Sequence, residues 1–266
     1  MRRLDGLSAL ITGGGSGVGR STALRFAFEG AASVTLFDRD EAGLTSVAAE
    51  VKELGSHVQT VSGDVGNVDD CERAVAVARR DTGRLDILVS NAGTDATVPF
   101  LEMTLEEWER VLRVNLTASF VLGQLAARAM VESGQGGSIL YTASISGVAA
   151  SQGDVHYGAS KAGTISLVKS MAMELVGHNI RVNAVSPGPL DTPLSLALLG
   201  SEEAMQEARQ HWPMVPMDRL GHPDEIAAAF AYLASSDAAY TTGQNLIVDG
   251  GLTTNAYPLA DELAPE

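Results

Sequence analysis

A single cysteine, few aromatic residues and a shortage of positive charge mark this 266-residue chain. Cys71 alone cannot close an intrachain disulfide or build a cysteine-rich metal site, which fits a reducing compartment. It lies in the helical pattern "VDDCERAVAVARR", where it reads as a small structural or surface thiol. Eighteen Lys and Arg stand against 33 Asp and Glu, a formal net charge of −15. That balance argues against a nucleic-acid binder, which would display a basic face. It also disfavours an acidic macromolecular partner. No run approaches the ~20 apolar residues of a membrane span. The opening "MRRLDGLSALITGGG" has the basic start of a secretory signal, but its apolar run is short and ends in glycines. The expectation is a soluble cytoplasmic protein without a membrane or nucleic-acid partner. His178, His211 and His222 are scattered and show no metal-ligand spacing, so no metal is expected.

What the chain does have is alternation. Apolar runs at "LSALITG", "SVTLFD", "HVQTVSGDV", "LDILVSNAG", "GSILYTAS", "IRVNAVSPG" and "QNLIVDGG" predict seven strands. Between them, the periodicity predicts helices over 19–29, 41–54, 68–82, 105–132, 157–176 and 223–234. Strands alternating with helices imply βαβ units. The expected fold class is α/β: a single-domain, Rossmann-like doubly wound fold with a seven-stranded, mainly parallel sheet and helices on both faces. Seven strands consume the length, so 1–266 is read as one nucleotide-binding domain. Residues 189–220 break the rhythm as a substrate lid, and 252–266 read as a C-terminal tail, an extended surface arm or intersubunit strap.

The stretch "TGGGSGVGR" places five glycines between Thr12 and Arg20, where the first strand hands over to a helix. Free N–H groups and the helix dipole favour an anion there, and glycines let it approach the backbone. Gly13, Gly17 and Gly19 follow a G-x-x-x-G-x-G spacing, and the Lys-Ser/Thr ending of a triphosphate loop is missing. Gly13, Ser16, Gly17, Val18 and Gly19 are the cofactor-binding candidates here. Asp38 ends the second strand at about the distance from the loop expected of an acid that binds ribose hydroxyls. Its charge would repel a 2′-phosphate, so NAD is favoured over NADP. A solvated turn acid is the alternative reading of Asp38. The adjacent Arg39 is the feature that would suit NADP.

The sharpest constellation is "YTASISGVAASQGDVHYGASKAG". Tyr157 and Lys161 lie four apart, on one helix face, and Ser144 ends a strand at the ligand-bearing sheet edge. Together with "TGGGSGVG", "GDV" at 63–65, "NAG" at 91–93, Asn115, "YGASK", "SPGPLDT" and "TGQNLIVDGG", these residues resemble the short-chain dehydrogenase/reductase family, in its short single-domain branch. The resemblance runs from about Leu7 to Gly251. It implies catalytic roles for Asn115, Ser144, Tyr157 and Lys161. Tyr157 would be the acid/base and Lys161 would lower its pKa and hold the nicotinamide ribose. Ser144 would hold the substrate oxygen, and Asn115 would maintain a helix irregularity carrying a proton-relay water. Tyrosine titrates near 10 unperturbed, and a cation one turn away brings it toward neutral pH. Read without the family, Tyr157 and Lys161 would be a half-exposed helix pair and Asn115 a satisfied buried amide.

The resemblance also places Asp64 and Val65 at the adenine, and Asn91, Ala92 and Gly93 under a ribose. Pro187, Gly188, Leu190 and Thr192 would border the nicotinamide. Ser90 and Leu190 depart mildly from the family pattern. It further implies a homotetramer. Leu194, Leu196, Leu198, Leu199, Met205, Trp212 and Met214 in the lid suggest a neutral, fairly apolar secondary alcohol or ketone, or else core and subunit contacts. His156 reads as facing outward or lining the pocket. Two rival functions stand beside the alcohol dehydrogenase: a reductase of 3-oxoacyl groups on acyl carrier protein, and a non-catalytic NAD-sensing regulator.

Overall fold

A computed structural model describes residues 2–254. Seven strands form one sheet: β1 (Ser8–Thr12), β2 (Ser33–Asp38), β3 (His57–Ser62), β4 (Ile87–Ser90), β5 (Gly137–Thr142), β6 (Ile180–Pro187) and β7 (Asn245–Val248). Their order is β3-β2-β1-β4-β5-β6-β7, and every neighbouring pair is parallel. Parallel strands need helical crossovers on both faces, so the central strands are buried on both sides and read as continuous apolar runs. Every residue of β1 and β4 is buried, as the runs "SALIT" and "ILVS" require.

The helices sort onto two faces. On one side α1 (Gly17–Phe28), α2 (Glu41–Glu53) and α9 (Pro223–Ala234) bury Phe26, Val47 and Phe230 against Ala9, Ile11, Val34 and Leu140. On the other, α3 (Val68–Ala78), α5 (Ala118–Ser133) and α6 (Val155–Leu175) bury Ala74, Leu122 and Val168 against Leu10, Leu88 and Ile139. Alternating β1 residues thus feed two cores. Cys71 belongs to the second; burial pushes its thiol up to about 12, which makes it a structural thiol.

The elements depart from the sequence reading at several points. First, α1 starts at Gly17 rather than Gly19, with Ser16 extended at its N-cap. Second, α3 stops at Ala78, short of Thr82. Third, the expected helix over 105–132 is α4 (Leu105–Leu112) and α5 joined by a π turn at Arg113–Thr117. This joined helix, Leu105–Ser133, is long and apolar enough to cross a membrane, which corrects the expectation that no such stretch exists; half of its most apolar window is buried within the protein. Fourth, the segment expected as a lid is helical: α7 (Pro193–Leu199) is capped by Thr192 and α8 (Glu202–Gln210) by Ser201, with left-handed Gly200 between them. Residues 255–266, most of the expected tail, lie outside the described residues.

The sheet fixes where a ligand can bind. The chain runs outward from β1 through β2 to β3, then returns to β4 on the other side of β1. Helices on opposite faces therefore diverge beyond the carboxyl ends of β1 and β4, and the crevice they leave is the ligand position in open α/β sheets.

Candidate active site

A cleft of about 810 Å³ opens at that edge. Its floor begins with the glycine loop. Gly13 and Gly17 have φ of +65° and +50°, a conformation side chains resist. A Cβ on Gly19 would collide with the Gly13 carbonyl and come within 3.0 Å of Asn91 Nδ2. The loop thus packs onto itself so that α1 can present its first N–H groups to the cleft. Ser16 makes no side-chain cap bond, leaving its hydroxyl at the cleft. Asp38 braces the loop from β2: its Oδ2 accepts from Gly15 N at 2.9 Å, and its Oδ1 accepts from Asp40 N at 3.1 Å. This glycine cradle with a carboxylate at its rim fits a dinucleotide's pyrophosphate and ribose.

The opposite wall is pinned by three strands. Thr12 Oγ1 accepts from both Asn91 N and Ala92 N at 2.9 Å. Asn91 Nδ2 donates to Thr12 O at 3.1 Å, and Asn91 Oδ1 accepts from Thr142 Oγ1 at 2.9 Å. "NAG" is therefore a clamp across β1, β4 and β5. Asp64 and Val65 line the far end, where Asp64 Oδ1 accepts from Gly66 N at 2.8 Å. Pro187, Gly188, Leu190 and Thr192 line the other side, held by Gly188 N donating to Val248 O at 3.0 Å.

Ser144, Tyr157 and Lys161 meet between these walls. Ser144 leaves β5 extended, and its Oγ accepts from Ser146 N at 3.1 Å, which fixes its rotamer toward the cleft. Lys161 is buried; its Nζ donates to Thr142 O at 2.7 Å and lies 5.4 Å from the centre of the Tyr157 ring. Burial lowers the Lys161 pKa to about 8, with Asp95 working the other way. Burial also raises the Tyr157 phenol above its ordinary value, Asp95 and Asp154 add to the rise, and the Ser144 hydroxyl opposes it. The protein alone thus holds a neutral phenol beside a cation that is charged at neutral pH, which corrects the expectation that Lys161 brings the phenol toward neutral pH: burial and the two acids outweigh it.

Asn115 lies behind this wall, in the π turn, rather than in the cleft. Its Oδ1 accepts from Thr94 N and its Nδ2 donates to Thr94 O, both at 2.9 Å, with a further bond to Ser160 Oγ at 3.2 Å. The expected helix irregularity is present, and the amide is fully satisfied. Gly19 likewise supports the cleft without lining it. The other cofactor candidates, from Gly13 to Thr192, all line it.

The segment expected as a lid divides its apolar residues. Leu194, Leu198, Leu199 and Trp212 face the cleft, whereas Leu196 and Met205 pack within the lid and Met214 is exposed. His156 corrects its expectation: it is fully buried and does not line the cleft. Sequence reasoning missed Asp95 and Asp154, which line the substrate end and whose pKa values burial raises; proximity to Asp154 adds to the rise at Asp95. Their signals were an acid just after "NAG" and one three residues before Tyr157. Arg110 and Arg113 also line the cleft. Among the described residues, no group of three or more His, Cys, Asp or Glu converges as metal ligands would.

Comparisons with known proteins bear on the family and the fold. A family model described as enoyl-(acyl carrier protein) reductase matches residues 13–253. The chain is 37% identical to an L-rhamnose 1-dehydrogenase (NAD(P)(+)) of a Sphingomonas strain, over 96% of this chain and 99% of that one. It is 38% identical to a 3-oxoacyl-(acyl-carrier-protein) reductase of Thermotoga maritima, over 94% and 99%. A crystal structure of a short-chain type dehydrogenase/reductase from Mycobacterium marinum superposes with a TM-score of 0.87 at 38% identity, covering 94% of this chain and 96% of that one.

Proposed function

We propose that this chain, which belongs to the short-chain dehydrogenase/reductase family, interconverts a neutral, fairly apolar secondary alcohol and its ketone, with NAD as cofactor. The observation that carries this reading is the convergence of Ser144, Tyr157 and Lys161 beside the glycine cradle in one cleft. When bound, the nicotinamide accepts or returns the hydride; everything else falls to the chain. Gly13, Ser16, Gly17 and Val18 receive the pyrophosphate, and Asp38 receives a ribose. Ser144 orients the substrate oxygen, and the Tyr157 hydroxyl takes the proton from it or returns it. Lys161 stabilises the phenolate that forms. Asn115 maintains the π turn, which would carry a proton-relay water.

Asp38 favours NAD because its carboxylate would face a 2′-phosphate. Asp38→Asn removes that charge while leaving an oxygen to accept from Gly15 N. The NAD-over-NADP ratio in kcat/KM is expected to fall by about tenfold, roughly 1.4 kcal/mol, with Arg39 available to a 2′-phosphate. An unchanged ratio would mean that Asp38 does not set the preference.

The substrate end has an apolar side at Leu194, Leu198, Leu199 and Trp212 and an acidic side at Asp95 and Asp154. Both acids oppose ionisation of Tyr157. Removing either charge, in Asp95→Asn or Asp154→Asn, therefore lowers the phenol's pKa. The rising limb of the pH profile for alcohol oxidation is expected to move to lower pH in each variant. A limb that stays in place would separate these acids from the base.

The relatives include both a sugar dehydrogenase and an acyl-carrier reductase, so family membership does not choose the substrate. The acidic balance of −15 counts against an acidic carrier. Retention of both Tyr157 and Lys161 counts against a non-catalytic sensor. A panel of secondary alcohols with NAD, run on wild type and Tyr157→Phe, tests the reading. NADH formation in wild type alone supports it. NAD binding without turnover would favour the sensor, and preference for 3-oxoacyl thioesters with NADPH the carrier reductase. A cytoplasmic location and a homotetramer belong to the same proposal; the tetramer is supported by exposed Phe120 and Met173 on α5 and α6, by Tyr240 in the turn before β7, and by Leu246 and Ile247 on edge strand β7.

A further inference from the structure

His156 directly precedes the proposed base, is fully buried, and its Nε2 has no hydrogen-bond partner. Burying an unpaired polar atom is unfavourable, so its neighbours should explain its presence. Its Nδ1 accepts the backbone N–H of Tyr157 at 2.8 Å. That N–H lies in the first turn of α6, where helical N–H groups lack partners. Asp154, at the N-cap, makes no side-chain cap bond, so His156 caps this N–H. With Nδ1 accepting, the neutral ring carries its proton on Nε2, which faces Glu107 Oε1 of α4 at 3.6 Å.

From Glu107 the contacts return to Tyr157 by a second route. Arg110 holds Glu107 with two bonds of 2.7 Å and donates from Nη1 to Thr94 Oγ1 at 3.0 Å. The backbone of Thr94 clamps the Asn115 amide, whose Nδ2 donates to Ser160 Oγ. Ser160 Oγ in turn donates to the carbonyl oxygen of Tyr157 at 2.7 Å. The circuit thus starts at the N–H of Tyr157 and ends at its own C=O, having passed through α4, the loop after β4 and the π turn. Its widest link is the one between His156 and Glu107.

We propose that His156, Glu107 and Arg110 are positioning residues, which hold the Tyr157 peptide in register with the Asn115 π turn. The proposal rests on the acid/base role given to Tyr157 above. The phenol hydroxyl swings from the α6 backbone, so its place relative to Ser144 depends on the first turn of that helix. An unpinned first turn would let the hydroxyl drift while the glycine cradle and Asp38, on the other side of the cleft, stay in place. Loss of the circuit therefore acts on kcat and spares cofactor binding. The charged groups around His156 are Glu107 from α4, Asp95 from the loop after β4 and Asp154 before α6, with Arg110 on Glu107. All three acids favour a donor at Nε2.

The test compares His156→Phe, His156→Asn and Glu107→Ala with wild type. An Asn side-chain oxygen can take the same N–H, whereas Phe cannot. The readouts are kcat, KM for NAD, and the exchange rate of the Tyr157 amide hydrogen. His156→Phe and Glu107→Ala are expected to lose about tenfold or more in kcat, since misplacement of a reacting group is that costly, with KM for NAD held within about twofold. The Tyr157 amide should exchange about tenfold faster in His156→Phe, and His156→Asn should restore both exchange and kcat. An unchanged exchange rate in His156→Phe overturns the proposal, as does failure of Asn to restore it. A kcat loss matched by an equal rise in KM for NAD also overturns it. Should Tyr157→Phe prove as active as wild type, the acid/base reading falls, while amide exchange still decides whether the circuit holds the peptide.

Discussion

Tyr157→Phe is expected to lower kcat by about 10²- to 10⁴-fold, the range that a positioned proton donor or acceptor supplies, while NAD still binds. The change deletes one oxygen and keeps the ring, which lies 5.4 Å from Lys161 Nζ. The melting temperature should therefore stay close to that of wild type. The pH dependence follows from the shifts at the site. Burial with Asp95 and Asp154 raises the phenol's pKa, so the protonated form dominates the unliganded enzyme at neutral pH. Alcohol oxidation needs the phenolate, so its rate rises as pH increases. Ketone reduction needs the phenol, so its rate falls over the same interval, and the two optima separate with oxidation on the alkaline side. Lys161 limits the alkaline side: its pKa of about 8 means that it loses its charge, and with it the phenolate's stabilising partner, above that value. Initial rates in both directions across pH, on wild type and Tyr157→Phe, check the whole argument. Residual activity near wild type in the variant would remove Tyr157 from the reaction.

The parts of this site legible in the sequence were those fixed by local spacing. Tyr157 and Lys161 share a face because they lie on one helix, whatever that helix packs against. Asp38 was legible because a strand end after a glycine loop has few other places to be. The π turn was legible only through the family resemblance, not from the local pattern: "RVNLT" contains no proline or glycine, and its apolar period runs straight through. The expansion accompanies bonds from Asn115 to Thr94 and Ser160, which belong to other elements. His156 was misread for the same reason, since its burial depends on Glu107 of α4 lying opposite. The lid helices are a different case. "DTP" and "GSEE" carry an N-cap before proline and a C-terminal glycine followed by Ser and acids, but the surrounding prolines and large apolar residues give the segment no clear helical period. Their caps form as those residue types dictate. Gly19 lies between the two cases. Its spacing announced a close approach, but only the fold shows that the approach is to Gly13 rather than to a ligand.

That distinction sets the second large effect. Gly19→Ala adds one methyl group, at an ordinary helical position, yet its Cβ would overlap the Gly13 carbonyl oxygen and lie 2.6 Å from the Gly13 carbon. Neither atom can swing aside, because both are backbone in a residue already held at φ +65° between β1 and the Asn91 clamp. Either α1 moves outward or the loop does, and overpacking of this kind costs about 3 kcal/mol. If NAD must restore the loop in order to bind, the same cost appears as about a hundredfold loss in affinity. The expected result is a clear drop in melting temperature together with NAD binding weakened about a hundredfold. Gly177→Ala is the matched control: a Cβ there meets nothing within 4 Å, so stability should change by less than about 0.5 kcal/mol. Isothermal titration with NAD and thermal melts on the two variants separate the outcomes. Normal NAD affinity in Gly19→Ala would show that the loop reaches its ligand without this packing, and the cradle would then have to be drawn around Gly13 and Gly17 alone.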